Sequence, residues 1–198
     1  MSNQIGCVIM AAGDSTRFGE NDKLLESFAD ETIIEHVLSA VPFGMLDRSL
    51  LVAGSEAVIQ TVSKFNIQVI INTKPKLGIG RTIKLGTAAL GPSYDGYMYI
   101  VGDQPLLTSD SITKLITFWR EHPENIVSLA YGSRIGNPVI FPRACYEEIM
   151  GLADDEYGRV VYRRHLDLLK TVQISDEYEL MDVDTIEDLV VVKDHLKK

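Results

Sequence analysis

The 198-residue chain has only two cysteines, Cys7 and Cys145, whose spacing fits no zinc motif and builds no disulfide framework. No apolar run approaches the roughly 18 residues of a membrane span. The opening MSNQIGCVIM lacks the basic region and cleavage site of a secretion signal, so a cytoplasmic location is the default expectation. Cations are in the minority, 19 Lys and Arg against 28 Asp and Glu, and the net charge of −9 opposes general binding to nucleic acid or anionic membranes. Neither G-x-x-x-x-G-K-[ST] nor G-x-G-x-x-G occurs, which excludes the P-loop and the dinucleotide fingerprint. None of the four histidines is placed for catalysis: His36 lies on a helical pattern, His122 precedes Pro123, and His165 and His195 fall near helix ends. Repeats, low-complexity tracts and linkers are also missing, so residues 1–198 read as one domain.

Short apolar runs alternate with helical patterns. Strands are expected at 5–10, 49–53, 68–71, 97–101, 126–130, 138–141 and 171–174. Several of these are apolar on both faces, as strands inside a parallel sheet are. Helices are expected at 32–41, 56–65, 82–90, 111–120, 145–150 and 185–196. This alternation predicts an α/β fold of layered type, with right-handed crossovers. Between Val127 and Thr171 the rhythm breaks around Gly132, Gly136 and Pro138, which reads as a hairpin insertion forming a wall of a substrate site.

In open α/β sheets ligands sit beyond the carboxyl ends of the strands. "AAGDSTRFGENDK" (11–23) occupies that place after the first strand. Small residues let backbone N–H groups approach an oxyanion closely, Arg17 can give phosphate a bidentate fork, and Lys23 can add a point charge. A plain surface turn with two solvated cations is the alternative. Asp103, at the tip of the apolar strand in "YMYIVGDQPLL", either holds Mg²⁺ or caps a turn. Cys7 lies within the first strand and is expected to be buried and inert.

"MAAGDSTRFGENDK" resembles the A-[AG]-G-x-S-x-R-[FM]-G-x(2,3)-K signature of the molybdenum cofactor nucleotidyltransferases, within the nucleoside-triphosphate transferase superfamily. Four further segments resemble family motifs in the right order: "GIGRTIKLG" (78–86), "VGDQPLLTSDSI" (101–112), "GNPVIFPRACYEEI" (136–149) and "DVDTIEDL" (182–189). The resemblance implies a three-layer α/β/α, Rossmann-like (GT-A-like) fold with a mostly parallel sheet. It implies transfer of a nucleotidyl group to the terminal phosphate of molybdopterin, with pyrophosphate released and Mg²⁺ as the metal. Within the family, alanine at the position of Ala12 is associated with cytidylyl transfer, so CTP is the expected donor.

On this reading Ala11, Ala12, Gly13, Ser15, Arg17, Lys23, Gly78, Gly80, Thr82 and Asp103 bind the nucleotide, and Arg17, Lys23 and Asp103 carry the catalysis. Asp103 and Asp184 would ligate the metal, although Asp184 also reads as an N-cap with Glu187 three residues later. Gln104, Asn137 and Arg159 would meet the acceptor. Asn137 reads equally as a hairpin turn residue, and Arg159, with Arg163 and Arg164, as the basic face of a solvated helix. In "DDEYGRVVYRRH" (154–165) Asp154 and Tyr157 stand where the family has glycines, and Arg81 departs from the small polar residue usual there. Gly78 and Gly80 read alternatively as hinge residues. A molybdenum hydroxylase receiving the product is the implied partner. The rival readings are a related nucleotidyltransferase with a sugar-phosphate or alcohol-phosphate acceptor, and a non-catalytic molybdenum cofactor-binding chaperone.

Overall fold

Every residue of the first apolar run, Ile5–Ala11, is buried, as a strand covered on both faces must be. The computed structural model of the chain describes residues 3–13, 18 and 22–197. In chain order its elements are β1 (Ile5–Ala11), β2 (Ser27–Phe28), β3 (Glu31–Thr32), α1 (Ile33–Ala40), β4 (Arg48–Ala53), α2 (Glu56–Thr61), β5 (Gln68–Ile71), α3 (Ile79–Leu90), β6 (Gly96–Val101) and α4 (Ser109–Glu121). There follow β7 (Ile126–Tyr131), β8 (Arg134–Pro142), α5 (Tyr146–Met150), α6 (Arg159–Arg164), β9 (Leu169–Gln173) and α7 (Ile186–Leu196).

Seven strands form one sheet in the order β5-β4-β1-β6-β8-β7-β9, while β2 and β3 pair separately as a small antiparallel ribbon. Strands β5, β4, β1 and β6 are mutually parallel, and β8 runs against both of its neighbours. Side-chain alternation along β1 feeds two cores. Ile5, Cys7 and Ile9 join the layer built with α1, α2, α4 and α7, where Trp119 is fully buried. Val8 and Met10 join Ile83, Tyr97, Tyr99 and Phe141 in the layer under α3, α5 and α6. This is the expected three-layer α/β/α nucleotidyltransferase fold with a mostly parallel sheet. Among the described residues no helix is long and apolar enough to cross a membrane.

The topology defines where a ligand can sit. The parallel strands end together, which places Ala11–Gly13, Gly54 and Gly102–Asp103 along one edge. Because β8 is antiparallel, it brings its beginning, Arg134–Asn137, to that same edge. Helix ends are set locally: Thr32 and Glu35 form a capping box at α1, and the Thr108 hydroxyl accepts from the Ser111 amide at α4.

Several elements differ from the sequence reading, three of them near the sheet's carboxyl edge or its end. Helix α3 begins at Ile79, so Thr82 sits inside its first turn rather than at its start. The cap of α7 is Thr185 with Asp188, not Asp184 with Glu187, which leaves the Asp184 carboxylate for other work. Strand β9 lies two residues earlier at its start than the apolar run suggests.

Candidate active site

Lys23 occupies a tight turn whose geometry is fixed by Asp22: the Asp22 carboxylate accepts from the Leu24 amide at 3.1 Å and from the Ser55 hydroxyl at 3.0 Å. The turn buries the lysine stem and delivers its ammonium to two carboxylates. Lys23 Nζ lies 2.6 Å from Asp103 Oδ2 and 2.8 Å from Asp184 Oδ1. Burial alone lowers the proton affinity of this ammonium, but Asp103 and Asp184 more than offset it, and its pKa stands above the ordinary lysine value. Lys23 is therefore a permanent cation at neutral pH.

The two carboxylates come from segments far apart in sequence, joined by three ties. The Val183 amide donates to the Asp103 carbonyl at 2.9 Å, Gln104 Nε2 donates to Asp182 Oδ1 at 2.8 Å, and Glu179 accepts from both the amide and the hydroxyl of Thr108. Desolvation and then the neighbouring Asp103 charge push Asp182 up to about 6, so this edge is crowded with negative charge. Among the described residues Asp103 Oδ1 and Gln104 Oε1 are buried acceptors without a donor. Buried acceptors left open in this way call for a cation or a donor from outside the protein.

A cleft of about 520 Å³ opens at this edge. Ala12, Gly13, Lys23, Gly78, Thr82, Asp103, Gln104, Asn137, Arg159 and Asp184, all singled out in the sequence, line it together. Ala12 is buried and packs beside Gly54, while Gly13 is exposed with free space around its Cα. Across the cleft the Arg159 guanidinium lies 4.6 Å from the centre of the exposed Tyr157 ring. Ser15 and Arg17 lie outside the described residues. Ala11 and Gly80 do not line the cleft. Gly80 is instead covered by the segment 153–156: a Cβ there would come within 2.0 Å of the Ala153 carbonyl oxygen. Gly78, at φ +119°, takes a conformation that favours glycine and lies under the same segment, where a Cβ would meet the Asp154 carbonyl at 2.6 Å. Gly80, expected at the nucleotide or as a hinge residue, thus lies against protein backbone, which its missing side chain admits. The Lys84–Asp154 ion pair, 2.8 Å, and the Arg81 amide on the Asp154 carbonyl hold that segment down.

Sequence reasoning passed over two residues here. Asp182 reads as a plain companion of Asp184, and Asn72 as a polar residue after an edge strand. Both are defined by partners outside their own segments. The cysteines take no part: Cys7 is fully buried and its thiol pushed far up by desolvation, and burial raises Cys145 to about 11.

The cleft thus presents a fixed ammonium, the two carboxylates that hold it and exposed loop backbone at the carboxyl edge of an α/β sheet. Comparison with known proteins gives the class. The MobA-like NTP transferase domain matches residues 7–169, and the chain belongs to that family. It is 27% identical over 176 residues to the bifunctional protein GlmU of Streptococcus uberis, covering 87% of this chain and 34% of GlmU. The chain thus spans about a third of the length of that relative. It is 26% identical over 192 residues to the nicotine blue oxidoreductase of Paenarthrobacter nicotinovorans, covering 92% of this chain and 93% of the relative. The fold matches a nucleotidyl transferase from Methanothermobacter thermautotroptrophicus with a TM-score of 0.84 over 98% of each chain, at 22% identity.

Proposed function

We propose that this protein moves a CMP group from CTP to the terminal phosphate of molybdopterin and releases pyrophosphate. The observation that carries the reading is the Lys23 ammonium clasped by Asp103 and Asp184 in the cleft that Ala12 and Gly13 also line. The signature segments along the chain and its membership of the MobA-like family support it.

An acceptor phosphate monoester has a second pKa of about 6 and is already a dianion at neutral pH. Its oxygen attacks the α-phosphorus of CTP, the new P–O bond forms as the bond to the β-phosphate oxygen breaks, and the electron pair leaves on pyrophosphate. No proton has to be removed, which agrees with the absence of a histidine from the cleft lining. The demands are in-line placement and cancellation of charge between two polyanions. Lys23 supplies a fixed positive charge for the triphosphate. Gln104, Asn137 and Arg159 line the same cleft and are assigned to the acceptor, with the Tyr157 ring beside the Arg159 guanidinium.

The residues present fit Mg²⁺, which takes one or two carboxylates and keeps several waters. Asp103 and Asp184 reach one common cation, and among the described residues Asp103 Oδ1 is without a donor. When bound, Mg²⁺ would neutralise phosphate charge there.

The test is pyrophosphate release with each of the four triphosphates, Mg²⁺ and molybdopterin, with a sugar phosphate as a second acceptor arm. CTP with molybdopterin should be the productive pair, and Asp103→Asn should lower turnover by several orders of magnitude with the fold intact. Release with the sugar phosphate alone would replace the acceptor. Cofactor binding without any pyrophosphate would make the protein a carrier instead of an enzyme.

A further inference from the structure

Asn72 follows edge strand β5, where a polar side chain would ordinarily face water, yet it is completely buried. Its backbone N–H and both ends of its carboxamide are engaged within the protein. Its amide N–H donates to the Ala53 carbonyl at 2.8 Å. Its side-chain oxygen accepts from the Lys74 amide at 3.0 Å and from Arg81 Nε at 3.2 Å. Its side-chain nitrogen lies 3.1 Å from the Thr82 hydroxyl. A backbone amide and a guanidinium nitrogen can only donate, so the carboxamide has one permitted orientation. The oxygen must face Lys74 and Arg81, and the NH₂ must face Thr82.

This orientation fixes the polarity of Thr82. Its hydroxyl oxygen receives the Asn72 donor, so its own proton must go elsewhere. Among the described residues it is given to no protein acceptor. Thr82 lines the cleft from the first turn of α3.

We propose that Asn72 is a positioning residue that sets the Thr82 hydroxyl as an obligate hydrogen-bond donor into the cleft, so that this wall selects a nucleoside presenting an acceptor atom, a base carbonyl or a ribose oxygen. This rests on the nucleotide reading of the cleft. Through the same carboxamide Asn72 also anchors Arg81, whose Nε is held inside the protein.

Asn72→Asp tests it, because the carboxylate keeps the acceptor for Lys74 and Arg81 but replaces the donor by a second acceptor. The Thr82 proton then turns toward the introduced carboxylate and is lost to the ligand. CTP binding to the acceptor-free protein is measured by calorimetry, with kcat and KM beside it. Asn72→Asp should weaken CTP binding about tenfold or more, the scale of one lost hydrogen bond, while kcat stays within about threefold. Thr82→Val should lose as much, Thr82→Ser should restore binding, and the double variant should lose no more than either single one. Should Asn72→Asp fail to fold, Asn72→Ser removes the amide without adding charge and is expected to behave the same way. Wild-type CTP affinity in a folded Asn72 variant, or losses that multiply in the double variant, would overturn the positioning role. A wild type that binds no nucleoside triphosphate would overturn the nucleotide reading itself, before any variant is compared.

Discussion

Replacing Lys23 with methionine removes a cation shared by Asp103 and Asp184 while keeping most of the packed stem. The two carboxylates then face each other across the gap left by the ammonium, with Asp182 close by. Removing one partner of a fully buried pair costs roughly 3–5 kcal/mol, because a charge is left desolvated and uncompensated. Here the Asp103 and Asp184 side chains are 21% and 35% exposed, so water screens part of the repulsion. A loss of about 1–3 kcal/mol is the expected scale. For a chain of this length each kcal/mol moves Tm by roughly 2–4 °C, so Lys23→Met should melt about 2–12 °C below the wild type. The assay is thermal unfolding by circular dichroism, in chelator and again in millimolar Mg²⁺. The variant should recover stability with Mg²⁺ to a greater degree than the wild type gains it, since a divalent ion takes over the charge the lysine carried. Adding Asp103→Asn to the variant should relieve the strain without metal. Equal melting of Lys23→Met and wild type in chelator, or an equal Mg²⁺ response in both, would refute the electrostatic account of the clasp.

Ala12→Gly removes a buried methyl beside Gly54 at the nucleotide end of the cleft, and the ratio of kcat/KM for CTP over GTP should fall by roughly 10–200-fold, the range for one methyl in a shaped pocket. An unchanged ratio would clear Ala12 of any part in base choice. Gly80→Ala should destabilise, although alanine is the better helix former by about 1 kcal/mol. Its Cβ would lie 2.0 Å from the Ala153 oxygen and 2.7 Å from the Glu156 oxygen, both backbone atoms, so overpacking of about 1–3 kcal/mol wins and Tm should drop by several degrees. A higher Tm would show that the 153–156 segment yields freely.

How much of this could be read beforehand depended on how local each signal was. The β1 run, the double-sided burial of β4 and β6, and the helices α1 to α5 and α7 follow from periodicity, and each is present close to its expected place, whereas the short α6 was not among the expected helices. The start of β8 was missed because Arg134–Asn137 is polar and glycine-containing, and its strand conformation comes from pairing with β7. The β2–β3 ribbon was missed because two-residue strands carry no period. The cleft lining was legible wherever a side chain's chemistry stands out in a local motif, as with Lys23 after the first loop, Asp103 at a strand tip and Thr82 near a helix start. Asp182 and Asn72 were not legible. Their roles arise from Gln104, 78 residues from Asp182, and from Thr82 and Arg81 on a different element from Asn72. Gly80 shows the limit from the other side: a glycine in a ligand-binding pattern admits a neighbouring loop, a contact that no spacing rule distinguishes from a cradle.

The amide of Val183 on the carbonyl of Asp103 also bears on where this protein can be cut. The family match stops at residue 169, but the cooperative unit does not. A chain ended there would keep most of the sheet and the whole recognisable signature. It would lose the outer edge strand β9, the Glu179 bonds to Thr108, the partner of Gln104 and one arm of the lysine clasp. The last thirty residues help to wall the cleft as the first thirty do, and the part of the sequence that matches the family is shorter than the part that builds the cleft.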